Sequence, residues 1–203
     1  MLRGYYFITD DALSLRGNIS DVCRAMDAGV KVIQYRAKDI STQAMIDEAA
    51  KLRELTSKAI FLVNDYIDVA LAVDADGVHL GQGDISCEEA RISLGVHRKI
   101  GISVNTLEQA KLAFKQGADY LGVGPVFLTT TKNDAGAALG VELIREIKAE
   151  VSLPVVAIGG ITLDNAADVI AAGADAVCAI SAVVSKPDVK DEILKFKGLF
   201  KKE

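Results

Sequence analysis

Residues 117–123 read Gly117-Ala118-Asp119-Tyr120-Leu121-Gly122-Val123, and residues 173–178 read Gly173-Ala174-Asp175-Ala176-Val177-Cys178. Each stretch closes a helical pattern with a glycine, suited to the positive φ of a helix C-terminus, and opens a run apolar on both faces. Ala28-Gly29-Val30 and Ala75-Asp76-Gly77-Val78 are variants of the same junction. The repeating unit is therefore helix, glycine turn, strand. Working outward from it, strands are expected at Tyr5–Thr9, Lys31–Ala37, Ile60–Asn64, Gly77–Leu80, Lys99–Val104, Tyr120–Phe127, Pro154–Ile158 and Ala176–Ile180. The intervening segments are helical. Met45, Ala49, Leu52 and Leu55 form one apolar stripe, and Leu107, Ala110 and Phe114 another. Ser86 with Glu89 and Thr106 with Gln109 fit capping boxes at helix starts. Eight strands alternating with eight helices, the last at about 182–197, make an α/β chain that closes as a single (β/α)8 TIM barrel over residues 1–203. A doubly wound open sheet is the alternative; it usually has fewer strands, with its polar site at one switch point.

Composition agrees with one folded domain. The chain has 203 residues, 50% hydrophobic and 25% charged, which excludes a disordered chain. With 23 Lys plus Arg against 28 Asp plus Glu, its net charge is −5, unlike a protein built to grip nucleic acid. The apolar runs fall far short of the ~18–20 residues of a membrane span. The opening Met1-Leu2-Arg3-Gly4 leads into a strand with no long apolar leader. Cys23, Cys87 and Cys178 are too scattered for a disulfide framework or a zinc site, so each reads as a buried small hydrophobe and the compartment as cytoplasmic.

Barrel active sites lie at the C-terminal ends of the strands. There the sequence places Gln34-Tyr35-Arg36-Ala37-Lys38, Asn64-Asp65, His79-Leu80-Gly81-Gln82-Gly83-Asp84, Ser103, Thr129-Thr130-Thr131-Lys132, Gly159-Gly160 and Ile180-Ser181. The opposite ends look like plain turns. Gly159-Gly160 and Ser181 follow strands seven and eight, where barrels often hold a phosphate on backbone N–H groups and helix N-termini. Gln34, Arg36 and Lys38 alternate by two and so share a side; cations at a barrel mouth call for an anion, as a polyanion clamp or a structural salt bridge. Lys132 suits the same anion. Asp65 and Asp84 end neighbouring strands and suit Mg²⁺ bridging to phosphate oxygens, or simply pair with the cations. His79 reads as a structural residue with a satisfied hydrogen bond, and His97 as exposed. No Ser or Cys has a base beside it in a recognisable motif. Two anion sites on one face, one for a monophosphate and one for a polyphosphate with Mg²⁺, suit a metal-assisted displacement of pyrophosphate.

Gln34-Tyr35-Arg36-Ala37-Lys38, Asn64-Asp65, Ala75 to Asp84, Asp119-Tyr120-Leu121-Gly122-Val123-Gly124-Pro125-Val126-Phe127, Thr129-Thr130-Thr131-Lys132 and Ala157-Ile158-Gly159-Gly160-Ile161 resemble the thiamine phosphate synthase (thiamine-phosphate pyrophosphorylase) family, in order over essentially the whole chain. The resemblance implies a transferase of thiamine biosynthesis that joins hydroxymethylpyrimidine diphosphate to hydroxyethylthiazole phosphate, giving thiamine phosphate and pyrophosphate. The implied mechanism is dissociative: pyrophosphate leaves, the aminopyrimidine delocalises the cation, and the thiazole nitrogen attacks. Gln34, Arg36, Lys38 and Asn64 then contact the pyrimidine diphosphate, Asp65 and Asp84 bind Mg²⁺, and Ser103 lies by the pyrimidine and diphosphate. Thr129, Thr131 and Lys132 line the region between the substrates; Gly160, Ile180 and Ser181 cradle the thiazole phosphate. Arg36, Lys38, Ser103 and Lys132 are the implied catalytic set. Leu128 departs from the family, which often has Pro there, and bears on how the loop closes. The alternatives are the thiazole tautomerase paralogue, which needs no diphosphate or metal site, and a non-catalytic phospho-ligand-binding barrel. Partners are small molecules, with no nucleic acid or membrane and with homo-oligomer formation left open.

Overall fold

A computed structural model describes residues 2–129, 131 and 136–200. Its strands are β1 (Gly4–Ile8), β2 (Val32–Tyr35), β3 (Ile60–Asn64), β4 (Gly77–Leu80), β5 (Lys99–Val104), β6 (Tyr120–Val123), β7 (Val155–Ile158) and β8 (Ala176–Cys178). They pair in parallel in sequence order, and β8 closes on β1, with Gly4 opposite Ala176. The helices are α1 (Asn18–Asp27), α2 (Thr42–Leu55), α3 (Ile67–Ala72), α4 (Cys87–Leu94), α5 (Leu107–Lys115), α6 (Glu142–Glu150), α7 (Ala166–Ala171), α8 (Ser181–Val184) and α9 (Val189–Gly198). The chain is thus the (β/α)8 barrel expected from its repeat. Among the described residues no helix is long and apolar enough to cross a membrane.

Strand alternation divides the core in two. Tyr5, Phe7, Ile33, Phe61, Val63, Ile100, Leu121 and Val155 pack outward against the helices. Tyr6, Ile8, Val32, Leu62, Tyr120, Val156, Ala176 and Cys178 fill the barrel. Burying a Leu, Ile or Phe stabilises by about 1.5–3 kcal/mol each, so these two shells dominate the fold's energetics.

Several expectations need correction. The final helix is split into α8 and α9, because Pro187 has no N–H for a helix and Asp188 restarts one by accepting from the Asp191 N–H. β2 ends at Tyr35, before Arg36 and Lys38. β6 ends at Val123, because Pro125 cannot donate; pairing with β7 resumes at Val126 and Phe127, whose N–H groups reach the Ile158 and Gly159 carbonyls at 2.9 and 3.0 Å. The stripe of α5 is Ala110 and Ala113, with Phe114 exposed, and Cys23 is exposed while Cys87 and Cys178 are buried. Ser86 and Glu89 form the full capping box; Thr106 caps Gln109, whose side chain returns to the Asn105 N–H instead.

The glycine-turn repeat does more than end helices. Asp76, Asp119 and Asp175, just before β4, β6 and β8, accept the N–H groups of Phe61, Ile100 and Val155 on the strand alongside, at 2.8, 3.0 and 2.8 Å. Each also pairs with a cation from an even-numbered helix: Arg53 at 2.9 Å, Arg91 at 2.7 Å and Lys148 at 2.9 Å. The junction before β2 has Lys31 where the others have Asp, and Lys197 of α9 instead donates to the Ala28 and Gly29 carbonyls at 2.6 and 2.9 Å. The N-terminal face is therefore a fourfold ring of polar staples rather than plain turns. Burial opposes ionisation of Asp119, but Lys99, the Ile100 N–H and Arg91 outweigh it and hold the carboxyl below its usual range.

Candidate active site

The strand ends bring most of the expected polar residues to one mouth. Gln34 is buried inside β2 and donates from Nε2 to the Tyr6 hydroxyl at 2.8 Å. Arg36 lies one residue past the strand, and its guanidinium meets the buried Asp10 at 3.1 Å. Thr9 stitches β1 to this corner, its hydroxyl accepting from the Arg36 N–H at 2.9 Å. Asp10 is a residue that motif reading missed; its place directly after β1, where the other junctions carry polar groups, is the signal that could have found it. The pairing holds Arg36 in place and neutralises part of its charge. Lys38 is exposed at the rim. Gln34, Arg36 and Lys38 thus do not form one strand face, because β2 stops before the two cations.

Asn64 ends β3 and Asp65 follows with φ 64°, a left-handed conformation that Asp tolerates better than most residues. Its N–H donates to the His79 carbonyl at 2.9 Å, tying the β3 and β4 ends together. After β4, Gly81 to Asp84 form a tight turn in which the Asp84 carboxylate accepts the Gly81 N–H at 2.7 Å. Asp65 and Asp84 are both exposed on adjacent strand ends. No cluster of three His, Cys, Asp or Glu that could hold a metal occurs among the described residues. Two carboxylates nevertheless fit Mg²⁺, which takes one or two protein carboxylates and completes its shell with phosphate oxygens and water.

Ser103 is half-buried in β5, its hydroxyl 2.9 Å from Nε2 of His79, and Gln82 donates to its carbonyl at 2.7 Å. Beyond β6, Thr129 accepts from the Thr131 N–H at 3.2 Å. Lys132 and Thr130 lie outside the described residues. Leu128 is 81% exposed.

Gly159 and Gly160 have φ of 99° and 62°. A Cβ on Gly159 would fall 2.5 Å from Pro125 Cα, and one on Gly160 2.5 Å from the Leu128 carbonyl and 2.8 Å from Phe127 Cβ. The paired glycines therefore allow the β7–α7 turn to lie against the loop that carries Thr129. Asn165 fastens the turn, donating to the Gly160 carbonyl at 3.0 Å and accepting from Thr162 N–H at 2.8 Å. Ile180 and Ser181 open the one-turn α8 at the next strand end, with Ser181 exposed.

Comparison with known proteins shows which family shares this sequence and fold. A family model described as thiamine monophosphate synthase matches residues 5–183. The chain is 54% identical over 193 residues to a thiamine-phosphate synthase of Methanosarcina barkeri, covering 95% of this chain and 88% of the relative. A thiamine-phosphate synthase of Chloroflexus aurantiacus is 50% identical over 187 residues, covering 91% and 86%. The solved structure of a thiamine phosphate pyrophosphorylase from Pyrococcus furiosus superposes with a TM-score of 0.89 at 41% identity, covering 98% of this chain and 96% of that one.

Proposed function

Because the chain belongs to the thiamine monophosphate synthase family, we propose that it condenses hydroxymethylpyrimidine diphosphate with hydroxyethylthiazole phosphate, releasing pyrophosphate. The observation that carries this reading is the convergence of Gln34, Arg36, Asn64, Asp65, Asp84 and Ser103 on the C-terminal ends of β2 to β5, opposite the glycine turn after β7. The first group suits a pyrimidine diphosphate and the second a monophosphate. Arg36 and Lys38 bind the diphosphate and stabilise the charge that develops as it departs, with Lys132 assigned the same task. Asn64 and Ser103 position the pyrimidine end, Thr129 and Thr131 line the space between the substrates, and Gly160, Ile180 and Ser181 receive the thiazole phosphate. Asp65 and Asp84 would hold Mg²⁺, which supplies charge neutralisation for the diphosphate when bound.

Bond breaking precedes bond making in this reading. The cations suit a leaving pyrophosphate, and the one described Ser of the site with a histidine beside it, Ser103 at 2.9 Å from His79 Nε2, has a hydrogen-bonding rather than a nucleophilic part in this reading. The reaction is carried by one barrel domain over residues 1–203, in the cytoplasm, with the two phosphorylated small molecules as its substrates. Mixing the two phosphorylated substrates with Mg²⁺ tests the assignment: thiamine phosphate and pyrophosphate should appear in equal amounts. Isomerisation of the thiazole with no diphosphate consumed would point to the tautomerase instead.

A further inference from the structure

A chain of five side chains crosses the barrel interior. Gln34 Nε2 lies 2.8 Å from the Tyr6 hydroxyl. Tyr6 and Tyr120 share a hydroxyl contact of 2.7 Å. Tyr120 is 2.9 Å from His79 Nδ1, and His79 Nε2 is 2.9 Å from Ser103 Oγ. The backbone is cut to fit the rings. A Cβ on Gly101 would fall 2.0 Å from Tyr120 Cζ, and one on Gly122 2.8 Å from His79 Cε1. Neither Gln34, Tyr6 nor Tyr120 is exposed by more than 2%.

The direction of this chain follows from counting hydrogens. An amide nitrogen only donates, so the Tyr6 oxygen accepts from Gln34. Tyr6 has one hydroxyl hydrogen, and it goes to Tyr120. Tyr120 likewise gives its hydrogen to Nδ1 of a neutral His79. The ring hydrogen then sits on Nε2 and is donated to Ser103 Oγ. Burial raises both phenols well above their ordinary range, so each keeps the hydrogen this accounting needs. Ser103 accepts from the relay, and its own hydroxyl hydrogen stays available for something else.

We propose that Gln34, Tyr6, Tyr120 and His79 form a directional relay that locks His79 as its Nε2–H tautomer and so presents Ser103 to the substrate as a hydrogen-bond donor. The matching substrate atom is an acceptor, a ring nitrogen or a phosphate oxygen. Tyr120 and His79 are thereby positioning residues acting through Ser103. This rests on the reading above that Ser103 faces the pyrimidine diphosphate; the tautomer itself does not. The opposite polarity, with the Gln34 carbonyl accepting from Tyr6, would reverse every bond and make Ser103 donate to His79.

Two measurements test the proposal separately from the reaction assignment. First, ¹⁵N NMR of the imidazoles in the substrate-free protein at mildly alkaline pH reads the tautomer directly. The chain has 2 histidines, and removing the exposed His97 as His97→Gln assigns the spectrum. Nε2 should be protonated and Nδ1 bare, and Tyr120→Phe should move the ring toward a tautomer mixture. A protonated Nδ1 in the native protein would overturn the relay's direction. Second, a double-mutant cycle on kcat asks whether Tyr120 acts through Ser103. Tyr120→Phe should lower kcat roughly fivefold with KM for the thiazole phosphate unchanged, as fits loss of one hydrogen bond's net worth. In a Ser103→Ala background the same substitution should change kcat less than twofold. An undiminished fivefold loss there would show that Tyr120 supports the barrel generally and would overturn the positioning role. If the tautomer is as stated while no thiamine phosphate forms, the reaction assignment has failed and the lock has not.

Discussion

Replacing Gly160 by Ala tests whether the paired glycines are there for close approach. Two costs add at this site. A Cβ at φ 62° is strained by about 1–2 kcal/mol relative to Gly. The same Cβ would stand 2.5 Å from the Leu128 carbonyl oxygen, a backbone atom that cannot swing aside. Overpacking of that kind costs about 2–3 kcal/mol. The sum is about 3–5 kcal/mol, or a fall in Tm of roughly 9–15 °C at ~3 °C per kcal/mol for a chain of this size. Gly117→Ala is the control. This glycine ends α5 with φ 85°, and nothing lies within 4 Å of the added carbon, so only the strain term applies. That predicts roughly 3–6 °C. Thermal unfolding of the two variants isolates the contact. The displaced loop carries Thr129, so Gly160→Ala should also raise KM for the thiazole phosphate more than KM for the pyrimidine diphosphate. Equal melting of the two variants, or equal changes in both KM values, would refute the reasoning.

Asp65→Ala and Asp84→Ala should each lower turnover by about two orders of magnitude while the barrel stays folded, since both carboxylates are exposed; near-normal turnover with unchanged Mg²⁺ dependence would remove the metal assignment. A trifluoromethyl group in place of the pyrimidine methyl should slow the chemical step by orders of magnitude with little change in binding; at about 1.4 kcal/mol per decade the destabilised cation has ample leverage, and a nearly normal chemical rate would favour direct displacement by the thiazole. Asp119 should contribute to acid stability. Its folded pKa lies below the unfolded value of about 3.9. Its stabilisation is therefore present above that value and lost as pH falls through the folded one. Asp119→Asn should cost on the order of 1–3 kcal/mol at neutral pH, with the gap to the native chain closing in acid denaturation; a gap independent of pH would show that the carboxylate charge is not what matters.

Much is legible in the sequence alone. Buried parallel strands must be apolar on both faces, and each helix must end before the next strand begins, so the repeat exposed the barrel and every strand to within a few residues. The site was legible as types and places, because barrel strands deliver their C-terminal residues to one mouth whatever the side chains. Asn64, Asp65, Asp84, Ser103 and Gly160 therefore arrived where the alternation put them. Pro187 splitting the last helix was local chemistry that periodicity overlooked.

What only the tertiary structure decided was pairing between residues distant in sequence. Arg36 reads as an anion clamp, with a salt bridge as the alternative, until Asp10 is found 3.1 Å from it. The aspartates of the glycine turns look like ordinary turn residues until the neighbouring strand's N–H and an Arg or Lys are placed against them. His79 looks like a lone core histidine, yet the closed barrel sets it between Tyr120 and Ser103, and Gly101 and Gly122 look like weak strand residues until the rings fill their space. A sequence fixes each group's capacity to donate, accept or carry charge. Which capacity is used depends on the register that brings distant strands side by side, and that register is set by the closure of the barrel as a whole.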